Sequence, residues 1–181
     1  MFSQEALKIA KLGEPILRKK AKKVKNILNK DTQELIAKML ISVKKSGGVG
    51  LAAPQVFQSL RLLIIASKPN ERYPHAVYRE PFVMINPEVI KVGNKREKGW
   101  EGCLSIPGVR GKVKRYKKVK VRYTNIKDEL IVEKLEGFIA RVFQHEFDHL
   151  NGLVFLDNIK NTKDIISEEI YLKKKIKPHT K

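Results

Sequence analysis

The segment Gln144-His145-Glu146-Phe147-Asp148-His149-Leu150-Asn151-Gly152 constrains this chain more than any other. It contains His-Glu-x-x-His. On a helix, residues four apart lie on one face, one turn above the other, so His145 and His149 can grip a single metal ion. Glu146, between them, can reach a water on that ion. The flanks favour a helix. Phe138, Val142, His145, His149 and Leu150 fall on or near one stripe, and Asn151-Gly152 is a stop signal. Two histidines and a glutamate can also meet on a helix by chance. A third ligand and a place for substrate therefore have to be found elsewhere in the chain.

At 181 residues the chain is read as one domain, 1–181, large enough for a proper core, with a basic tail from about residue 172. No apolar run approaches the roughly 20 residues that span a bilayer, and Met1 to Leu12 has no secretory pattern, so no membrane partner is expected. A single cysteine rules out an internal disulfide framework and fits a reducing, cytoplasmic setting. The net charge of +19 favours polyanionic partners such as RNA or the ribosome. A lysine-rich solvated surface would carry the same charge, and no RNA-binding motif accompanies it.

Residues 8–25 hold eight Lys/Arg against Glu14 alone and read as an irregular arm anchored by Ile16-Leu17. Asp31 is expected to cap a helix, with Glu34 three residues on as in a capping box. Leu35, Ile36, Met39, Leu40 and Val43 give it an apolar stripe, and Ser46-Gly47-Gly48 ends it. In Gly48-Val49-Gly50-Leu51-Ala52-Ala53-Pro54-Gln55, two glycines around one valine let a backbone come close to a ligand. Arg61 to Ala66 and Phe82 to Ile85 read as strands, separated by a polar loop over 67–81. The second is expected to break at Asn86-Pro87 and resume over Val89 to Val92. Cys103, in Glu101-Gly102-Cys103-Leu104-Ser105, is a small buried hydrophobe or a metal ligand; it precedes His145 by 42 residues. Lys112 to Tyr123 alternates as one strand, but Arg115 falls on its apolar side and must find an acid. Lys117 shares that parity and is expected at a bulge. Leu130 to Val132 is a further strand, and a short helix is expected after Asp164.

The three stretches ending in Gln55, Ser105 and His149 resemble, in order, content and spacing, the GxGxAAxQ, EGCxS and HExxH motifs of peptide deformylase. The resemblance covers about residues 10–160, and Ile106-Pro107 resembles the bacterial type 1 branch. It implies a hydrolase that removes the formyl group from N-formylmethionyl nascent peptides. It implies Cys103, His145 and His149 as metal ligands, with Fe(II) as the usual ion and Ni(II), Co(II) or Zn(II) as substitutes. Glu146 becomes the general base, and the Gln55 amide and Leu104 backbone N–H become the oxyanion donors. Gly48, Val49 and Gly50 would pair with the substrate backbone. Val49, Phe138 and Val142 would line the methionine pocket, with His145 at its base. Arg110 would stand at the substrate rim, and Arg115 would pair with Glu101.

The expected fold is α+β: a mostly antiparallel, partly rolled sheet packed around the HExxH helix. Phe57 stands where many members have glycine, Lys44-Lys45 replaces a more apolar helix end, and the 67–81 loop is long. Two other readings explain less. A zinc protease accounts for the helix alone, and a basic RNA-binding protein accounts for the charge alone.

Overall fold

The computed structural model describes residues 5–176, and side chains as far as Lys174. Part of the lysine-rich tail therefore lies outside the described residues. The first helix, α1, runs Lys30–Lys45. Its cap is Asn29, not Asp31: the Asn29 Oδ1 accepts from the Thr32 backbone N–H at 2.8 Å. Asp31 sits in the first turn instead, where its charge favours the positive end of the helix. Asparagine caps as well as aspartate does, so propensity could not separate two positions two residues apart. Ile36, Met39 and Val43 are the buried stripe, and Gly47 takes the left-handed turn past the end at φ +62°.

Among the described residues, eight strands follow in two antiparallel sheets. The larger holds β1 (Gly50–Ala52), β2 (Leu62–Ile65), β3 (Phe82–Val92), β6 (Lys118–Thr124) and β7 (Leu130–Glu136), in the order β1-β2-β3-β6-β7. The smaller holds β4 (Arg96–Cys103), β5 (Ile106–Tyr116) and β8 (Ile165–Ser167). The expected break at Asn86-Pro87 is absorbed inside β3. Asn86 turns to φ +51°, and the register with β6 shifts between Ile85 and Glu88. Such a bulge keeps the strand continuous while bending it.

The alternating stretch 112–123 is not one strand. It ends as β5 at Tyr116 and restarts as β6 at Lys118, in the other sheet. Lys117 is the exposed join, so it needs no place on the apolar side. Alternation has the same period in both strands, which hides a change of sheet. The strand over 96–103 was missed because its residues are mostly polar and half-exposed.

Helix α2 (Gly137–Leu150) packs on β1, β2, β6 and β7 of one sheet and on β5 of the other. Glu136 offers no side-chain cap. The chain instead enters the helix through Gly137 at φ +56°. Ile139, Ala140, Phe143 and Leu150 bury in the core with Leu63, Met84, Val121 and Leu135. Fully burying each of these side chains other than Ala140 stabilises by about 1.5–3 kcal/mol. This is what holds the helix in one rotational setting and aims its other face at β4 and β5. The last described element is α3 (Glu168–Ile176).

Candidate metal centre and substrate cleft

Cys103 ends β4, while His145 and His149 lie one turn apart on α2. One donor atom from each lies within 4.8 Å of the others. That span is roughly twice the 2.0–2.3 Å of a metal–ligand bond, so one ion can draw on all three. The Cys103 Sγ is 3.3 Å from the His149 Nε2. The His149 Nδ1 and the Glu146 Oε2 are buried without a hydrogen-bond partner. A thiolate, two imidazoles and an idle buried carboxylate fit a divalent cation far better than they fit one another.

Electrostatics prepare that set. Burial alone would raise the Cys103 thiol, but the His149 and His145 rings outweigh it and hold the thiol well below its ordinary value. Burial would lower His145, but the thiolate and Glu101 outweigh it and raise the ring well above its usual value. Burial pushes Glu146 up to about 7, against the pull of both histidines. A carboxyl so placed can take and return a proton near neutrality.

The ligands rest on a buried ion network. The Glu101 Oε1 accepts from the Arg115 Nε at 3.0 Å and the Arg141 Nη1 at 2.9 Å. Its Oε2 accepts from the Arg115 Nη2 and faces the His145 Nδ1, both at 3.0 Å. Arg115 also reaches Asp148 at 2.6 Å. The acid that the inward Arg115 requires is therefore Glu101, with Asp148 beside it. The contact on Nδ1 leaves the other nitrogen of His145 free for a metal.

Beside this centre runs a cavity of about 190 Å³. Gly48, Val49, Gly50, Gln55, Cys103, Leu104, His145 and Glu146 line it. The Gln55 Oε1 accepts from the Ala52 N–H at 2.9 Å, which turns its Nε2 toward the Cys103 Sγ (3.3 Å) and the Ser105 Oγ (3.2 Å). Gly50 has a steric reason. A Cβ there would lie 2.5 Å from the Glu146 Oε1. Phe57, at the glycine position, sits in the left-handed region at φ +62°, where an L side chain costs roughly 1–2 kcal/mol.

A second, smaller cavity is lined by Val49, Phe138, Val142 and His145. Tyr73, Trp100 and Arg141 join them and were not foreseen. Arg141 precedes His145 by four residues, so helical spacing could have found it. Tyr73 comes from the 67–81 loop, and nothing in its local sequence marks it. Arg110 lines the main cavity as a buried side chain rather than an open rim. It donates to the Tyr73 hydroxyl at 2.8 Å and pairs with Glu168 of α3 at 2.5 Å.

Among the described residues, a cysteine and two histidines that could hold one ion, with a carboxylate beside them and an adjoining cleft, fit the class of metal-dependent hydrolases. Comparison with known proteins narrows this. The polypeptide deformylase family matches residues 6–164. Peptide deformylase 2 of Nostoc sp. is 48% identical over 170 residues, covering 94% of this chain and 95% of that protein. The peptide deformylase of Thermotoga neapolitana is 42% identical, covering 85% and 87%. Among solved structures, a Met-Ala-Ser-bound class I type b peptide deformylase from Acinetobacter baumannii superposes with a TM-score of 0.84. It is 41% identical, over 87% of this chain and all of that one. The chain belongs to the peptide deformylase family, hydrolases that remove the formyl group from the N-formylmethionine of nascent peptides in a metal-dependent reaction.

Proposed function

We propose that Cys103, His145 and His149 hold Fe(II), replaceable by Ni(II), Co(II) or Zn(II), and that Glu146 carries the proton transfers of deformylation. When bound, such an ion polarises the formyl carbonyl and acidifies water. Glu146 takes the proton of the attacking water and passes it to the leaving amine. The C–N bond breaks, and formate and a free N-terminal methionine result. The Gln55 amide and the Leu104 N–H donate to the oxygen that becomes negative at the formyl carbon. Losing one such donor costs about 2.7–4 kcal/mol in barrier.

The substrate backbone runs along Gly48-Val49-Gly50. Strand β1 is the edge of its sheet and can accept an added strand. The methionine side chain enters the cavity of Val49, Phe138 and Val142, and Arg110, held by Tyr73 and Glu168, backs the cleft along which the peptide lies. The observation that carries the reading is the buried Glu146 Oε2, without a hydrogen-bond partner, beside the thiolate and two imidazoles.

Oxygen-free purification with metal analysis should find one ion per chain. That protein should release formate from formyl-Met-Ala-Ser and leave an internal peptide of the same composition uncut. Cleavage of the internal peptide, or no metal requirement, would overturn the reading.

The whole chain, 1–181, acts as one catalytic unit in the cytoplasm. None of its described helices is long and apolar enough to cross a membrane. Five lysines without an acid in 172–181 give a salt-sensitive hold on ribosomal RNA. Changing the lysines of 172–181 to glutamine, which leaves α3 (Glu168–Ile176) its length, should leave turnover of short formyl peptides intact and weaken ribosome co-sedimentation at low salt. Unchanged co-sedimentation would reduce the tail to a solvated end.

A further inference from the structure

The arm that precedes α1 touches the backs of the catalytic segments. The Ala10 N–H donates to the Gln55 carbonyl at 2.8 Å, and the Leu12 N–H donates to the Ser105 carbonyl at 2.9 Å. Between them, the Lys11 ammonium donates to the Leu104 carbonyl at 2.9 Å. Lys11 also lines the main cavity. Three consecutive arm residues thus hold the backbone of the residue that supplies one oxyanion donor, and of the turn that supplies the other.

The turn needs that support. Strands β4 and β5 are joined by only Leu104 and Ser105, with Cys103 paired to Ile106 across the hairpin. Two-residue hairpins favour turns with φ > 0 at one or both central positions, because those match the twist of the strands. Neither Leu104 nor Ser105 is among the described residues with positive φ. The turn therefore lacks the backbone form that best matches the twist of its strands. It sits beside a register shift between Glu101 and Cys103, so the ladder behind it is irregular too. Both of its carbonyls are instead held from outside, one by Leu12 and one by Lys11.

We infer that Lys11 is a positioning residue: its ammonium, with the flanking arm backbone, holds the Leu104–Ser105 turn so that the Leu104 N–H stays aimed at the formyl oxygen. This rests on the deformylase reading of the site. The chemistry is specific to a cation on a flexible stem. Lys11 is exposed apart from this contact, so its removal opens no cavity in the core. An orienting contact of this kind acts on the donor geometry used in the transition state. It acts little on substrate held through β1.

The test compares Lys11→Met and Lys11→Arg with the native chain, all metal-loaded and checked for metal content and Tm. Formyl-Met-Ala-Ser serves as substrate. Lys11→Met should lower kcat by about 3- to 10-fold, the scale of one hydrogen bond, with KM, metal content and Tm unchanged. Lys11→Arg, which keeps a charged donor, should recover most of the rate. Independently of turnover, the Leu12 amide should exchange with deuterium several-fold faster in Lys11→Met, with β2 and α2 unaffected. An unchanged kcat, an equal loss in Lys11→Arg, or a loss that follows metal content or Tm would each overturn the assignment. If the native protein released no formate, the functional reading would fail, and the exchange rate at Leu12 would still decide whether Lys11 holds the turn.

Discussion

Replacing Glu101 by Gln changes one carboxylate oxygen to an amide –NH₂ and leaves size and shape alone. Yet Glu101 is 3% exposed, and each of its oxygens faces two nitrogens. Oε1 meets Arg115 and Arg141; Oε2 meets Arg115 and His145. Whichever way the new amide turns, its –NH₂ faces at least one guanidinium donor. The Arg115 charge, itself 6% exposed, would keep only Asp148 as a counter-charge. Breaking one side of a buried ion pair costs about 3–5 kcal/mol. For a chain of this length, each kcal/mol moves Tm by roughly 2–4 °C, so a fall of about 6–20 °C is expected. The measurement belongs on metal-free protein, where stability and metal affinity do not mix. A second loss should appear on reloading. With a neutral amide in place of the carboxylate on its Nδ1, His145 is held less firmly, and metal affinity should fall about 10- to 100-fold in a chelator competition. A variant within 1 kcal/mol of native stability and with native metal affinity would refute the claim that this network supports the ligands.

Glu146→Gln should keep one metal per chain and bind formyl-Met peptides while kcat falls at least about 100-fold; His149→Ala should instead lose the metal. Metal content beside turnover separates the two, and equal metal loss would make Glu146 a ligand or a prop. Gly50→Ala should cost about 100-fold in kcat, because a Cβ 2.5 Å from the Glu146 Oε1 must displace that carboxylate by something near an ångström; a near-native rate would mean that the Glu146 position is not critical. Burial would raise Glu168, but Arg110 and Arg72 outweigh it and hold its carboxyl below the ordinary value. Its stabilisation is therefore full above the ordinary carboxylate pKa and is lost as pH falls through the lowered one. Trp100, the sole tryptophan, lies edge-on to Tyr171 of α3 at 5.7 Å, so its fluorescence should report α3 loosening in that acid window. The change should be absent in Glu168→Gln.

Much of the chemistry was written locally. Two imidazoles four residues apart need only a helix to share a face, and the apolar stripe of α2 ensures that helix. Gly50 and Arg115 could each be marked as anomalies from their neighbours, one for missing a side chain and one for a charge on an apolar face. The order of the three motifs identified the reaction before any distance was known. What sequence could not supply was every relation that depends on two distant elements packing. Asn29 and Asp31 are equal as caps until the chain before them is placed. The alternation through Lys117 looks the same whether one sheet or two receives it. Tyr73, Asp148 and Glu168 come to the site from a loop, a helix flank and the C-terminal helix, and their value lies in contacts with Arg110 and Arg115. The Lys11 contact spans 93 residues and exists only because the arm crosses the β4–β5 hairpin turn. Local pattern determines which groups can do the chemistry. Long-range packing alone decides which carbonyl, ring or guanidinium each of them meets, because those partners are selected by the shape of the buried core and not by spacing along the chain.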